Sequence, residues 1–92
     1  MNFYVYILYS RSHDKYYIGQ TQDLDSRLLR HNNGYENFTS KYIPWEIVWY
    51  ANKPNRSSAL ALERKLKNLS RTRLEALIKK YGTPYQAGRD EP

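Results

Sequence analysis

The chain has 92 residues, with 15 Lys and Arg against 9 Asp and Glu and a net charge of +6. This length allows one small domain with a single modest core. The absence of cysteine excludes a disulfide framework, a thiolate nucleophile and a zinc site with sulfur ligands. No apolar run reaches the ~18–20 residues of a membrane helix, and no signal peptide precedes the first strand, so we expect a cytoplasmic protein.

The first elements along the chain are two predicted strands. Residues 3–9, FYVYILY, are β-branched or aromatic at both alternating sets of positions, which is typical of a strand in the middle of its sheet. Residues 10–15 are polar and predict a turn, and residues 16–20, YYIGQ, predict a second strand. Together they predict an antiparallel hairpin.

The position of the turn fixes the expected register of this hairpin. A turn centred between its two predicted strands places Tyr6 opposite Gly19 and Leu8 opposite Tyr17. Tyr6 and Tyr17 would then be diagonal neighbours on one face of the sheet. A slip of one residue would move them to opposite faces.

The first predicted helix begins after Asp23, a favourable N-cap, and runs to about residue 33, where Gly34 ends it. Two leucines four residues apart form its apolar stripe. Arg27 and His31 are also four residues apart, along the flank of that stripe, so their side chains share one side of the helix.

The second half of the chain predicts one more strand and two more helices. Residues 35–44 are polar and predict a loop, and residues 45–51, WEIVWYA, predict the third strand. A leucine stripe predicts a helix from about residue 56 to residue 69. Ser70 can cap the last helix, which the pattern extends to residue 81 before a glycine.

The resulting order of elements is ββαβαα. It predicts an α+β fold, with a three-stranded antiparallel sheet flanked by three helices. Without repeats or linkers the chain is expected to form one domain over residues 1–82. Residues 83–92 are expected to be a frayed C-terminal tail.

The positive charge is concentrated near the end of the chain. Seven Lys and Arg residues lie between Arg64 and Lys80, where Glu75 is the single acidic residue. Elsewhere the two signs balance. Such a basic stretch indicates a polyanionic partner, most often a nucleic acid, and the alternative is a well-solvated helix face.

Four residues of the first half carry groups suited to chemistry on a phosphate. Tyr6 and Tyr17 can relay a proton or bind a phosphate oxygen, although both can equally be core tyrosines. Arg27 can bind a phosphate through two parallel hydrogen bonds, and the alternative is a surface arginine. His31 can transfer protons near neutral pH, and the alternative is a histidine that interacts with the helix C-terminus.

A fifth candidate, Glu63, lies on the second predicted helix. Its carboxylate can hold a magnesium ion through one direct bond together with water molecules. The alternative is an i, i+4 surface ion pair with Lys67, in the favourable order of Glu before Lys. None of the five residues is a specific signal when taken alone.

As a set, these residues resemble the GIY-YIG nuclease superfamily. The triplet Tyr-Val-Tyr at 4–6 is followed after ten residues by Tyr-Ile-Gly at 17–19, and then by Arg27 and His31. Glu63 follows after the third strand. The stretch TQDLDSRLLRHN after the second triplet is the most telling part. The resemblance covers nearly the whole chain and is greatest to the small, stand-alone bacterial branch with a URI-type endonuclease domain.

The resemblance implies a metal-dependent endonuclease that hydrolyses phosphodiester bonds with Mg²⁺ or Mn²⁺ as its cofactor. By this likeness Tyr6 is the general base or its relay, and Tyr17 positions the phosphate or the water. Arg27 stabilises the developing charge, His31 assists proton transfer and Glu63 holds the metal. The expected substrate is DNA rather than RNA, recognised by structure rather than sequence, in repair or recombination. No membrane partner is expected.

Four further residues are expected to contact the substrate. Gly19 is expected to leave room for the substrate backbone. Lys15, together with the other nearby cations, is expected to lower the pKa of Tyr6. Lys67 and Arg71 belong to the basic stretch and are expected to bind phosphates without sequence preference.

One position departs from the family pattern. Many members carry an asparagine some turns beyond the glutamate, where this chain has Glu75, and the nearest asparagine is Asn68. An alternative is therefore a nucleic-acid-binding module with the same fold and little or no activity. A third possibility is a structural or protein-interaction domain whose charge serves solubility.

Overall fold

The computed structural model describes residues 2–82 and Tyr85. Its elements are β1 (Phe3–Ser10), β2 (Lys15–Thr21), α1 (Leu24–Asn32), a 3₁₀ turn (Thr39–Tyr42), β3 (Glu46–Lys53), α2 (Arg56–Lys67) and α3 (Arg71–Tyr81). The α+β class and the order ββαβαα are confirmed. Within the described residues, none of these helices has the length and hydropathy needed to cross a bilayer.

The three strands form one antiparallel sheet in the order β2-β1-β3, so the doubly apolar β1 is central as predicted. The hairpin register is also confirmed, because Tyr6 pairs with Gly19 and Leu8 pairs with Tyr17. The alternation of side chains along β1 therefore sends its odd and even residues to opposite faces of the sheet.

Each face of the sheet has its own core. On one face, α2 and α3 cover the first core, whose buried residues are Val5, Ile7, Ala59, Leu66 and Leu74. On the other face, α1 and the segment before β3 cover the second core, whose buried residues are Tyr6, Leu8, Leu24, Trp45 and Ile47. The paired tyrosines thus lie on the α1 face, and the basic helices pack on the other.

Several boundaries differ from the sequence prediction by one or two residues. β3 extends to Lys53, because Lys53 still pairs with Phe3 of the central strand. α2 ends at Lys67 rather than at residue 69, and Asn68 is its C-cap. α3 ends at Tyr81 as predicted, and the Tyr81 side chain is exposed.

The predicted loop over residues 35–44 contains the 3₁₀ turn, which no periodicity in the sequence indicates. Thr39, the first residue of the turn, is completely buried. The indole Nε1 of Trp45 donates a hydrogen bond to the backbone oxygen of Thr39 at 2.8 Å. This bond attaches the segment to the core of the α1 face.

The predicted tail over residues 83–92 lies outside the described residues, with the exception of Tyr85. The Tyr85 ring packs edge-on against Tyr50, with 5.4 Å between the ring centroids. Its hydroxyl donates a hydrogen bond to Asp25 of α1. Tyr85 therefore packs against the α1 face of the sheet.

Gly19 is buried beneath the Tyr6 side chain. A Cβ atom at this position would lie 2.6 Å from the Tyr6 hydroxyl oxygen and 2.8 Å from Tyr6 Cζ. The expectation that Gly19 leaves room for the substrate backbone is corrected accordingly, because Tyr6 occupies that space. The glycine allows the aromatic ring to lie flat against the neighbouring strand.

We predict that Gly19→Ala destabilises the protein by about 1–3 kcal/mol, although alanine is otherwise the better strand residue. The added Cβ must displace the buried Tyr6 ring. Urea unfolding of the variant and of the wild type measures the difference. In a Tyr6→Leu background, Gly19→Ala should lower the free energy of unfolding by much less. An equal loss in both backgrounds would show that the contact with the Tyr6 ring is not the cause.

Candidate active site

Three buried side chains form a continuous hydrogen-bonded chain on the α1 face. The Tyr6 hydroxyl lies 3.0 Å from Nε2 of His31, and Nδ1 of His31 lies 2.8 Å from the Thr39 hydroxyl. All three residues are almost fully buried. Since one nitrogen of a neutral imidazole donates and the other accepts, the two hydroxyls take opposite roles toward His31.

Local structure explains how His31 reaches this position. Asp23 caps α1 by accepting a hydrogen bond from the backbone N–H of Ser26 at 3.1 Å, which fixes where the helix begins. His31 then falls in the last turn of α1. The sequence placed His31 along the flank of the leucine stripe, but the structure turns it into the core, because Thr39 and Tyr6 satisfy both ring nitrogens there.

Tyr17 lies beside this chain and is only partly buried. Its ring centroid is 6.5 Å from that of Tyr6 and 5.1 Å from that of His31. The expected diagonal pairing of the two tyrosines on one face is therefore observed. Tyr17 thus retains contact with solvent, whereas Tyr6 is almost fully buried.

Burial and several neighbouring groups act together on the pKa of the Tyr6 hydroxyl. Burial and then the neighbouring Tyr17 raise its pKa well above the ordinary value, and the Arg27 charge opposes this shift. Glu63 and Glu36 are also close enough to raise it. The expectation that nearby cations lower the pKa of Tyr6 is corrected, because the cost of burying a phenolate outweighs the effect of Arg27.

His31 is affected in the opposite sense. Burial disfavours the charged imidazolium and lowers the pKa of His31 below its usual value near 6.5. Glu36 partly offsets the shift, whereas Arg27 and Arg30 add to it. At neutral pH the buried pair therefore consists of a protonated Tyr6 and an uncharged His31.

Lys15, Lys67 and Arg71 were predicted to contact substrate, and the structure brings them to one groove at the open edge of β2. They line a cavity of about 400 Å³, together with Tyr17. Lys15 does not face Tyr6. Its Nζ lies over the ring of Tyr42, 5.3 Å from the centroid.

Two of these three cations have acidic partners within the domain. Lys67 pairs with Glu63 at 2.8 Å, so the alternative interpretation of Glu63 as an i, i+4 ion pair is also observed. Arg71 pairs with Asp14 and with Glu75. The two Arg71 pairs are exposed, and exposed ion pairs contribute little free energy.

Glu63 lies on the opposite side of the sheet from Tyr6. It lies on α2, and its Oε1 accepts a hydrogen bond from Nε2 of Gln20 at 2.7 Å. Gln20 belongs to the edge strand β2, so Glu63 meets the site at the sheet edge rather than across its face. The five predicted residues therefore do not line one face. Tyr6 and Tyr17 lie on the α1 face with Arg27 and His31 of α1, whereas Glu63 lies on α2, which packs against the other face.

The donor set fits a metal ion that keeps most of its water. No cluster of three or more His, Cys, Asp or Glu side chains suited to a metal occurs within residues 2–82 and Tyr85. Glu63 is the carboxylate predicted to hold the metal, and its side chain is only 14% exposed. Mg²⁺ is commonly held by one carboxylate, water and substrate phosphate oxygens, so this arrangement suits Mg²⁺ or Mn²⁺ better than zinc.

Arg27 is partly buried and borders a second cavity, of about 320 Å³. Gln20 and Arg56 line the same cavity. Neither Arg27 nor Arg56 forms an ion pair with another described residue. Two guanidinium groups thus face a polar cleft that is large enough for a phosphate group.

Neither residue considered for the family asparagine contacts the buried chain. Glu75 lies on α3, where it accepts a hydrogen bond from the Tyr16 hydroxyl at 3.1 Å. Burial and then this bond raise the pKa of Tyr16 to about 12. Asn68 is the C-cap of α2. Both residues serve the packing of the basic helices.

Sequence reasoning missed Thr39, Gln20 and Arg56. No periodicity marks Thr39 within its polar segment. The position of Gln20 could have been predicted. Side chains alternate along β2, so Gln20 points toward the same face as Ile18, where α2 packs. Arg56 was assigned only to the start of a helix, and its proximity to Arg27 depends on tertiary packing.

The fold and the site together define a class of protein: a small α+β domain with paired tyrosines on its sheet, Arg and His on its first helix, and a glutamate on a later one. The sequence matches the GIY-YIG catalytic domain over residues 2–82. The chain belongs to the GIY-YIG family, which is a family of nucleases acting on nucleic acid, generally with a divalent metal.

The chain is also similar to a curated bacterial protein of about the same length. It is 34% identical to the UPF0213 protein BH0048 of Halalkalibacterium halodurans over 87 residues, which cover 94% of this chain and 92% of that protein. The solution NMR structure of the UPF0213 protein BH0048 from Bacillus halodurans matches with a TM-score of 0.59 and 33% identity. That match covers 97% of this chain and 95% of the other.

We predict that the free energy of unfolding decreases as the pH falls below about 6.5. The unfolded chain protonates His31 in that range, whereas the folded protein, in which the pKa of His31 is lowered, does so only at lower pH. Urea unfolding between about pH 7 and pH 5 measures the slope. The slope of the unfolding free energy against pH should be smaller in His31→Gln. It should be unchanged in the control His13→Gln, which leaves His31 in place. An unchanged slope in His31→Gln would contradict the attribution of the pH dependence to His31.

Proposed function

We propose that this protein is a metal-dependent endonuclease that hydrolyses phosphodiester bonds of DNA and recognises DNA structure rather than sequence, in repair or recombination. One observation carries the proposal. The Tyr6 hydroxyl is hydrogen-bonded to His31 and lies within electrostatic reach of Tyr17, Arg27 and Glu63. Phosphodiester hydrolysis needs proton transfer, charge neutralisation and positioning, and these groups supply all three.

The directions of the two pKa shifts support one path for the proton. His31 is uncharged at neutral pH and can accept a proton, whereas Tyr6 retains its own. In the proposed step, a water molecule attacks phosphorus and the P–O bond to the leaving-group oxygen breaks. The water gives a proton to the Tyr6 oxygen while the Tyr6 proton passes to Nε2 of His31, and the leaving oxygen takes a proton from bulk water. Thr39 accepts a hydrogen bond from Nδ1–H and so keeps Nε2 free to receive the proton.

The remaining groups act on the phosphate. Arg27 neutralises the charge that develops on the phosphoryl oxygens. Glu63 is the residue that would hold the divalent ion, Mg²⁺ or Mn²⁺, and the ion would supply Lewis-acid polarisation of the phosphate. Tyr17, the exposed member of the pair, positions the phosphate or water, and the groove with Lys15 binds the backbone beyond the cleaved bond.

A second candidate function is a nucleic-acid-binding module with little or no activity. The contacts of Glu63 favour it, because Lys67 and Gln20 engage both carboxylate oxygens. Glu75 at the position of the family asparagine favours it as well. In this case the basic groove would bind DNA without cleaving it.

We predict that Arg27→Ala and Glu63→Gln each reduce Mg²⁺-dependent nicking of DNA by about 10²-fold or more, because each removes an electrostatic contribution to the transition state. A panel of nicked, flapped and branched fluorescent DNAs measures the rates, and circular dichroism checks the fold. The matched controls are Arg11→Ala and Glu46→Gln, which remove an ion pair elsewhere on the surface.

The controls should cleave as the wild type does. Nicking that survives both Arg27→Ala and Glu63→Gln would show that the activity belongs to another site or to a contaminant. Salt-dependent DNA binding by the wild type, without cleavage under any metal condition, would instead favour the binding module.

We also predict that Thr39→Val lowers the cleavage rate by about tenfold or more, because Nδ1 of His31 loses its partner and the ring loses its fixed orientation. Thr39→Ser keeps the hydroxyl and should restore the rate. The pH dependence of the rate should shift in Thr39→Val and not in Thr39→Ser. Equal rates and equal pH profiles in the two variants would exclude a positioning role for Thr39.

A further inference from the structure

An exposed aromatic surface adjoins the candidate active site. We call Tyr17, Phe38 and Tyr42 the aromatic platform. The Phe38 ring stacks on Tyr17 with 6.2 Å between centroids and an interplanar angle of 29°. It also lies 5.3 Å from the Tyr42 ring. One side of Phe38 therefore rests against the tyrosine that faces the substrate.

Phe38 is not needed to fill either core. Tyr17 and Tyr42 pack against the buried cluster of the α1 face, whereas Phe38 lies outside it and is 51% exposed. A large apolar ring that remains half exposed retains surface for another flat group. Its position immediately before the 3₁₀ turn keeps it fixed, because Thr39, the next residue, is buried and bonded to His31.

A cation accompanies the platform. The Nζ of Lys15 lies over the Tyr42 ring, and Lys15 forms no ion pair with another described residue. Lys15 also lines the groove at the β2 edge. Flat aromatic rings next to an unpaired cation are the combination that binds single-stranded nucleic acid, in which bases stack on the rings and phosphates meet the cation.

We propose that the aromatic platform stacks an unpaired base of single-stranded DNA on Phe38, with a neighbouring backbone phosphate at Lys15. The inference deepens the proposed function and rests on it, since it places the base beside Tyr17. In a duplex both faces of each base are already stacked, so a base can reach Phe38 only from a single strand, a flap or a frayed end. The aromatic platform therefore favours single-stranded over double-stranded DNA.

The test is a binding measurement in the presence of a chelator, so that no cleavage occurs. The probes are a fluorescent single-stranded DNA of about 12 nucleotides, the same strand with abasic sites, and the corresponding duplex. The variants are Phe38→Ala and Phe38→Trp. Leu29→Ala is the matched control, because Leu29 is another exposed apolar residue, on α1.

Loss of one stacked base should weaken binding of the intact single strand to Phe38→Ala by about tenfold. Phe38→Trp and Leu29→Ala should bind it as the wild type does. Duplex binding should change by less than about twofold in every variant. The abasic strand should bind the wild type weakly and be insensitive to Phe38→Ala.

Three results would overturn the platform: wild-type protein that does not bind the single strand, equal binding of the intact and abasic strands, or equal losses for single strand and duplex in Phe38→Ala. Circular dichroism and urea unfolding exclude a folding defect, and Phe38→Leu, which keeps the bulk without the aromatic ring, should behave as Phe38→Ala does.

Cleavage is measured separately, with Mg²⁺ and the same DNAs. If the binding results hold but the wild type never cleaves, the proposed nuclease function fails and the platform stands as a binding surface. If the wild type cleaves, yet Phe38→Ala binds and cleaves the single strand as the wild type does, the platform fails and the nuclease function stands.

Discussion

The hydrogen bond between Tyr6 and His31 is the contact on which the architecture of the site depends. It joins the central strand to the last turn of α1 inside the core, where both groups are shielded from water. Since an unsatisfied buried polar group costs about 1–3 kcal/mol, neither residue can be placed there without the other. Thr39 completes the chain and connects it to the segment before β3. Three separate parts of the chain are thus held in one orientation by polar contacts.

This buried chain sets requirements on the residues around it. The Tyr6 ring lies over the neighbouring strand only because Gly19 has no side chain, and a single methyl group there would meet the ring. Burial of the pair lowers the pKa of His31 and raises that of Tyr6. Burial thus keeps both residues uncharged, with His31 as a proton acceptor beside Tyr6 as a proton donor.

The sequence allowed much of this to be predicted, and the reason lies in local patterns. Two-residue alternation and the position of a polar turn determine which residues of a hairpin pair, so Tyr6 opposite Gly19 followed directly. Asp23 and Ser70 mark helix starts through their own side chains. By contrast, the burial of His31 depends on where Thr39 arrives, and Thr39 belongs to a segment without periodicity. The burial of Tyr6 depends on tertiary packing, and so does the direction of its pKa shift.

The location of Glu63 explains why a site of this kind can form in so small a domain. Tyr6 and Glu63 belong to opposite layers, and the sheet would separate them further if another strand were paired with β2. Because β2 is the edge strand, Gln20 on one face can hold Glu63 while Tyr17 lies on the other face. The groove with Lys15 runs along the same edge. A phosphate backbone that follows this edge would contact both layers at once, so the open edge supplies the binding surface that the small core cannot enclose.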